Sequence, residues 1–212
     1  MGRHELLQFA LVSSILLSCA KEPVQRPPVP EQSKETQVKQ RSANVVAAVV
    51  TEYSTYIISK GQHYCNPRPL KTVSLTEMKF FAKFNQSAIY QTINPVNQYD
   101  INKLWGFSEG FDNQYNSARI GWGYSNGAIR LYGYVYSKGA RFYKEITTIL
   151  PGQEASCSIK ISGTTYVISV NGVIISLPRG TSAKTASGFQ QYPYFGGDEV
   201  APQDTYIYIK KA

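Results

Sequence analysis

The chain has 212 residues, with 22 lysines and arginines against 14 aspartates and glutamates, and its formal net charge at pH 7 is +8. This excess favours anionic partners without naming one. Three cysteines, two histidines and no Cys-x-x-Cys pair leave little from which to build a zinc site, so we predict no metal and no cofactor.

Residues 1–18 have the parts of an export signal: a basic start, an apolar core from Leu6 to Leu17, and a small residue before Cys19. The apolar run is too short to span a bilayer, which needs roughly 20 residues. Leu16-Leu17-Ser18-Cys19 resembles the lipobox of bacterial lipoproteins. The resemblance implies that the signal peptide is removed and that Cys19 carries the lipid anchor. The alternative is an ordinary secretory signal with an incidental cysteine.

Residues 19–44 are rich in Pro, Gln, Lys and Glu and include the cluster Arg26-Pro27-Pro28-Val29-Pro30. Such a segment cannot bury enough apolar surface to offset its ordering entropy, so we predict a semi-extended tether. The pair Lys21-Glu22 is weakly similar to surface-export signals of Bacteroidota lipoproteins. We therefore expect a cell-envelope protein, lipid-anchored in the outer membrane of a Gram-negative bacterium.

Residues 45–212 are long enough for one domain with its own core. This range keeps an excess of about six basic residues. An exported, lipidated chain rarely meets nucleic acid, so acidic glycans or lipopolysaccharide phosphates are the expected anionic partners. We predict contact with the membrane through the N-terminal lipid, and a glycan ligand, but no nucleic acid.

With Cys19 assigned to the lipid, Cys65 and Cys157 are the remaining cysteines. An exported protein enters a compartment that permits disulfides, so we predict a bridge between these two. The bridge would close a loop of about 92 residues and contribute roughly 4 kcal/mol in the chain-entropy model. The alternative is two buried free thiols.

The apolar residues of the domain alternate with a period of two, which predicts an all-β chain. Its clearest hairpin has Asn126-Gly127 at the centre of a two-residue turn. The turn fixes the register, so one face of the hairpin is predicted to be core. The core pairs are Tyr124 with Ile129, Trp122 with Leu131, Ile120 with Gly133, and Ala118 with Val135.

A second turn at Lys138-Gly139 adds a third strand, and the opposite face then collects tyrosines, arginines and one carboxylate. The predicted ligand-binding residues are Arg119, Arg130, Tyr132, Tyr134, Tyr136, Arg141, Tyr143 and Glu145. Tyr132 stands opposite Gly121, which leaves its ring uncovered as a plate on which a sugar can stack. Arginines supply forked donors for carboxylates or hydroxyls. The alternative is an ordinary exposed sheet, because tyrosine and arginine suit exposed strands.

Asn171-Gly172 joins two further alternating strands. The run from Thr165 to Ile175 resembles the penultimate hairpin of concanavalin-like lectin and laminin-G-type jelly rolls, and residues 205–209 correspond to their closing strand. The resemblance covers residues 75–210. It implies a two-sheet antiparallel β-sandwich with a concave face that binds glycans in many members.

The same fold includes enzymes, whose signatures are mostly missing. No strand carries the Glu-x-Asp-x-Glu of related glycosidases. Alginate-lyase-like jelly rolls carry an arginine-rich strand, a Gln-x-His strand and a late Tyr-Phe-Lys-Ala-Gly. The chain has Tyr194-Phe195-Gly196-Gly197 without the lysine, and neither of the other two in recognisable form. Tyr132, Tyr134, Arg119 and Arg130 could still supply the base and the proton donor of a lyase.

Asp198 and Glu199 form a compact acidic group in a late glycine-rich loop and are weak candidates for calcium ligands. The favoured interpretation is a solvated turn whose acids accept hydrogen bonds from the backbone.

The sequence thus predicts a lipid-anchored β-sandwich that binds an acidic glycan without catalysis. A polysaccharide lyase of the alginate-lyase-like jelly-roll type is one alternative. A structural or adhesive envelope lipoprotein is another.

Overall fold

A computed structural model describes residues 52–212, which consist of β-strands and two short 3-10 turns, Gln86–Ala88 and Pro95–Tyr99. The strands are β1 Ser54–Ile58, β2 Cys65–Asn66, β3 Thr72–Leu75, β4 Glu77–Phe84, β5 Asn102–Ser108, β6 Ser117–Ser125, β7 Ala128–Ser137, β8 Ala140–Ile149, β9 Glu154–Ser162, β10 Thr165–Val170, β11 Val173–Pro178, β12 Ala186–Gln191 and β13 Thr205–Lys211. The predicted signal at 1–18, the tether at 19–44, Cys19 and the first residues of the 45–212 domain lie outside the described residues.

The strands form two antiparallel sheets, which confirms the predicted jelly-roll sandwich. One sheet has seven strands in the order β11-β10-β9-β4-β13-β1-β2, and the other has six in the order β3-β12-β5-β6-β7-β8. The predicted closing strand is β13, which lies inside the seven-stranded sheet between β4 and β1. Across residues 52–212, no helix has the length and apolarity needed to cross a membrane.

The core lies between the sheets because most of the longer strands present alternate apolar side chains to it. In β4, Met78, Phe80, Ala82 and Phe84 are buried while the residues between them are partly or fully exposed. Burying one such phenylalanine is worth about 1.5–3 kcal/mol. Trp105 and Trp122 from the six-stranded sheet fill much of the space opposite.

The predicted hairpins are confirmed, and their turns share one backbone geometry. Asn126 and Gly127 have φ of 51° and 75°, and Asn171 and Gly172 have φ of 50° and 83°. Two successive residues with positive φ are typical of the type I′ turn, whose twist matches that of the flanking strands. The register of β6 with β7 agrees with the prediction at every pair, and so does that of β8 with β7 at Arg141, Tyr143 and Glu145.

β8 is the outer strand of the six-stranded sheet, paired on one side with β7. Most of its residues are exposed, including Phe142 and Lys144, which point away from the predicted ligand face. The strand therefore extends beyond the covered part of the sandwich.

A buried ion pair lies just after the end of β11, at Arg179. Arg179 is buried, and its Nη2 and Nε donate to the Glu109 carboxylate at 2.6 and 2.7 Å. The hydroxyl of Tyr166 donates to the same carboxylate at 2.5 Å. Because the charges are paired and hydrogen-bonded, burial is tolerated and the loop before Asn116 is tied to the opposite sheet.

The predicted disulfide is wrong. Cys65 and Cys157 are both buried free thiols, and β4, β13 and β1 lie between their strands. Four strand spacings amount to roughly 19 Å, while a disulfide needs Cα atoms within about 7 Å. Burial raises the pKa of Cys65 to about 12 and also raises the pKa of Cys157.

We expect a Cys19→Ser chain, unfolded without reductant, to react with two equivalents of a thiol reagent. The folded protein should react slowly, because burial keeps both thiols protonated and inaccessible. Thiol counting by mass spectrometry checks this, and a reductant-treated sample is the control. A chain that gains two thiols only after reduction would restore the disulfide.

Candidate functional site

A groove of about 740 Å³ lies over β5, β6 and β12 of the six-stranded sheet. Its lining includes Lys103 and Arg119 from the sheet, Arg68 from the segment after β2, and Tyr194 from the segment after β12. Within residues 52–212, none of those that line it is an aspartate or a glutamate. A groove with cations, tyrosines and no carboxylate is suited to an anionic ligand.

A smaller side pocket of about 100 Å³ adjoins the groove, and Lys103 lines both. Its other side chains come from β7, β8 and the segment before β5. They include Tyr134, Arg141, Tyr143 and Asp100.

Arg119 is 7% exposed, and its Nη2 donates to the carbonyl of Asn113 at 3.1 Å. Its Nε has no hydrogen-bond partner among residues 52–212. Burial lowers the pKa of Arg119, although a guanidinium stays protonated. A buried charged donor without an acceptor is costly, so the site favours a ligand that brings an oxygen to it.

Lys103 lies on the same face because β5 is irregular after it. The pairing of β5 with β6 shifts between Lys103 and Trp105, so Leu104 and Trp105 are both buried while Lys103 points outward. Its Nζ lies 5.0 Å from the ring centre of Tyr134 and 5.5 Å from that of Tyr194. Burial, followed by repulsion from Arg119 and Arg141, lowers the pKa of Lys103 to about 8.

Backbone hydrogen bonds hold Tyr194 beside Lys103. The N–H of each residue donates to the carbonyl of the other at 2.9 Å. The next residues are fixed by Asn102, whose buried side chain accepts from the N–H of Gly196 at 2.7 Å. A Cβ on Gly196 would lie 2.5 Å from Nζ of Lys103, so Lys103 fills the space beside the position where the alginate-lyase-like motif has its lysine.

Tyr134 lines the side pocket, stands opposite Arg119 in the pairing of β6 with β7, and is 3% exposed. Burial and a hydrogen bond with Tyr136 raise the pKa of Tyr134 to about 12, against the opposing effect of Arg141. The phenol is therefore neutral at physiological pH.

The predicted ligand residues divide into two groups. Arg119, Tyr134, Arg141 and Tyr143 line the groove or the side pocket. Tyr136 lies behind them, with its ring 5.9 Å from that of Tyr134.

Outside both cavities, Arg130 and Glu145 bind each other, with Nη1 2.8 Å from Oε1. Tyr132 does lie opposite Gly121. However, a Cβ on that glycine would meet the Ile101 side chain at 2.6 Å, so Ile101 occupies the space that was expected to leave the ring open.

Sequence reasoning missed Lys103 as well as the aromatic rim of the groove. Arg68 stacks on Tyr64 at 4.2 Å, and the Tyr64 ring lies 5.0 Å from that of Tyr194. His63 stacks behind Tyr194 at 5.3 Å, with Nδ1 2.8 Å from the Phe195 carbonyl oxygen, and does not line the groove. A single lysine in a predicted strand does not indicate a binding site. The sequence feature that indicates the irregularity of β5 is the adjacent apolar pair Leu104-Trp105, which breaks the alternation.

The acidic loop behaves as the favoured interpretation expected. Glu199 accepts hydrogen bonds from the backbone N–H groups of Ile93 and Asn94 and from Nδ2 of Asn97, all at 2.8 Å. These bonds lower its pKa. In the part of the chain that the structure describes, no group of three His, Cys, Asp or Glu side chains could hold a metal ion.

No family model and no curated protein sequence matches the chain. Solved structures of alginate lyases are similar to it in architecture. The alginate lyase AlyC3 shares 12% identity at a TM-score of 0.46, over 76% of this chain and 89% of that one. The alginate lyase from Alteromonas sp. 272 shares 9% identity at a TM-score of 0.47, over 79% of this chain and 88% of that one. The marine PL7 alginate lyase AlyA1 from Zobellia galactanivorans shares 14% identity at a TM-score of 0.44, over 74% of this chain and 62% of that one.

The prediction of non-catalytic glycan binding is corrected by this finding, because many of the similar structures are described as polysaccharide lyases. Identities this low concern the architecture of the sandwich alone. The chemistry of the groove therefore depends on its own residues.

We expect the Lys103 amine to be acylated by a limiting amine reagent with a midpoint near pH 8, because only the neutral amine reacts. Arg119→Met should move the midpoint upward, since it removes a repelling charge. Peptide mass spectrometry across about pH 6 to pH 11 measures both, with exposed Lys160 as the internal comparison. A midpoint near that of an ordinary lysine would contradict the described environment.

Proposed function

We propose that residues 52–212 act as a polysaccharide lyase on an acidic glycan built from uronate sugars, such as alginate. The observation that carries the proposal is Arg119, a buried guanidinium whose Nε lacks a partner in the described structure, in a groove lined by cations and tyrosines. A uronate carboxylate is a suitable acceptor for that donor.

Among the described residues the groove lining contains no carboxylate, which favours a lyase over a hydrolase. Glycoside hydrolases usually act through two Asp or Glu residues on either side of the scissile bond. A lyase instead needs a cation at the substrate carboxylate, a base for the C5 proton and an acid for the leaving oxygen. The groove offers the cation and several phenols.

In the proposed reaction, Arg119 binds the uronate carboxylate and stabilises the charge that develops on it as the C5–H bond breaks. The electron pair of that bond forms the C4–C5 double bond while the C4–O bond breaks. The leaving oxygen takes a proton from a tyrosine. Tyr194 lines the groove, and burial raises its pKa, so it is a neutral phenol that can donate.

The test is to incubate the full chain with polymannuronate, polyguluronate and a neutral glucan and to follow the absorbance of unsaturated ends and the product masses. Cleavage of a uronate polymer alone is expected. Arg119→Met should lower kcat/KM by about 10²–10³, as the loss of a transition-state donor does. Lys160→Met removes one positive charge from the other sheet and is the matched control. Absence of cleavage in every acidic polymer, or full activity in Arg119→Met, would contradict the proposal.

We also propose that Cys19 anchors the protein by lipid to the outer membrane, with residues 19–44 as the tether. The support is the lipobox-like Leu16-Leu17-Ser18-Cys19 and the proline-rich composition that follows it.

Cys19→Ala should abolish both acylation and partitioning into the detergent phase, because the acyl chains supply the membrane affinity. Metabolic labelling with a fatty-acid analogue and membrane fractionation measure the two effects. Wild-type chain from the same cells is the control, and a Cys19→Ala protein that still fractionates with membranes would argue against a lipid anchor.

A further inference from the structure

We infer that Lys103 is the general base that removes the C5 proton of the bound uronate, an assignment that rests on the proposed lyase reaction. Lys103 is the residue that lines both the groove and the side pocket with a titratable amine. Lys103 lies next to Arg119. A uronate whose carboxylate is bound to that guanidinium would therefore have its C5 carbon, which carries the carboxylate, close to the Lys103 amine.

The other groups near the groove are less suited to accept a proton. Arg119 remains protonated in proteins. Tyr134 has a pKa of about 12, so its phenolate is scarce at neutral pH. His63 lies behind Tyr194 and outside the groove, with Nδ1 on the Phe195 carbonyl.

The surroundings of Lys103 leave its amine available. Among the described residues it forms no salt bridge with an aspartate or glutamate. Its nearest described neighbours at the site are the aromatic rings of Tyr134 and Tyr194, the guanidinium groups of Arg119 and Arg141, and Asp100 of the side pocket. The rings present carbon faces rather than hydrogen-bond acceptors, so they hold the ammonium weakly and do not occupy the lone pair of the neutral amine.

The charges nearby favour the neutral form. Burial comes first, and Arg119 and Arg141 add repulsion that Asp100 partly offsets, which gives a pKa of about 8. About one tenth of the molecules therefore carry a neutral Lys103 at pH 7, and about half at pH 8. A bound uronate carboxylate would offset part of the repulsion, so the pKa should be higher in the complex than in the free enzyme.

The proton balance closes without any further reactant. The neutral amine takes the C5 proton and becomes an ammonium, while the phenol of Tyr194 gives its proton to the leaving oxygen and becomes a phenolate. The ammonium and the phenolate are neighbours, because Nζ of Lys103 lies 5.5 Å from the ring centre of Tyr194. Proton transfer from Lys103 to Tyr194 after product release then restores both groups.

The decisive variants are Lys103→Arg and Lys103→Met, compared with Lys160→Arg and Lys160→Met on the other sheet. Arginine keeps the positive charge but cannot act as a base near neutral pH. We expect both Lys103 variants to lose about 10²–10⁴ in kcat. Lys103→Arg should still be retained by an acidic polymer at pH 7, and both Lys160 variants should behave as the wild type. Circular dichroism and thermal melting establish that each variant is folded.

The results separate this inference from the proposed function. If the wild type cleaves no uronate polymer, the lyase proposal fails and the inference fails with it. If the wild type cleaves and Lys103→Arg keeps its kcat, the lyase stands and Lys103 is not the base. A rise in KM at unchanged kcat would likewise overturn the inference, because it would indicate binding alone.

A pH profile gives a second, independent readout. In the wild type, kcat/KM should rise with pH to a plateau above about pH 8, because the base must be neutral. The rise of kcat with pH should occur at higher pH than the rise of kcat/KM, because the pKa of Lys103 should be higher in the complex than in the free enzyme. Aminoethylation of a Lys103→Cys chain restores an amine that is less basic than lysine. Activity should therefore return, and the rise of kcat/KM with pH should move to lower pH. Wild type treated with the same reagent is the control. A restored enzyme whose kcat/KM rises over the same pH range as that of the wild type would overturn the assignment.

Discussion

The alternation of side chains across β6, β7 and β8 determines both the core and the groove. Two-residue turns at Asn126-Gly127 and Lys138-Gly139 fix this alternation, since a slip by one residue would exchange the two faces of every strand. Trp122 would then face solvent, and Arg119 would enter the core. The cost of either change far exceeds that of a strained turn. The position of the cationic face therefore follows from the packing of the sandwich.

That face concentrates positive charge without an internal counter-charge at its centre. Three carboxylates of the domain are used elsewhere, since Glu109 binds Arg179, Glu145 binds Arg130, and Glu199 binds backbone N–H groups, while Asp100 lies at the side pocket. Burial lowers the pKa of Arg119, and burial followed by repulsion from Arg119 and Arg141 lowers the pKa of Lys103. An anionic ligand relieves this repulsion. The same arrangement that lowers stability without the ligand supplies affinity with it, as is common at functional sites.

Local features of the fold were predictable from the sequence, whereas those that depend on strand neighbours were not. Asn-Gly turns and period-two patterns specify hairpins, so the register from Ser117 to Glu145 could be derived in full. The order of strands within a sheet leaves no such local trace. For this reason the Cys65–Cys157 disulfide was wrong, and the partner of Arg179 was missed. The predicted face contained Arg119 and Tyr134, but Lys103 reaches it from β5, which precedes the predicted hairpin and has an irregular register.

The position of β8 at the edge of its sheet has a consequence for motion. Arg141 and Tyr143 form part of the side-pocket wall, yet in the described part of the chain their strand pairs with β7 alone and is largely exposed on both faces. Opening this strand exposes little apolar surface, so its amides exchange with solvent through local fluctuations well below the free energy of global unfolding. Lys103, Arg119 and Tyr194 lie on strands and segments held from both sides. The site thus combines a floor held from both sides with one wall that is less restrained.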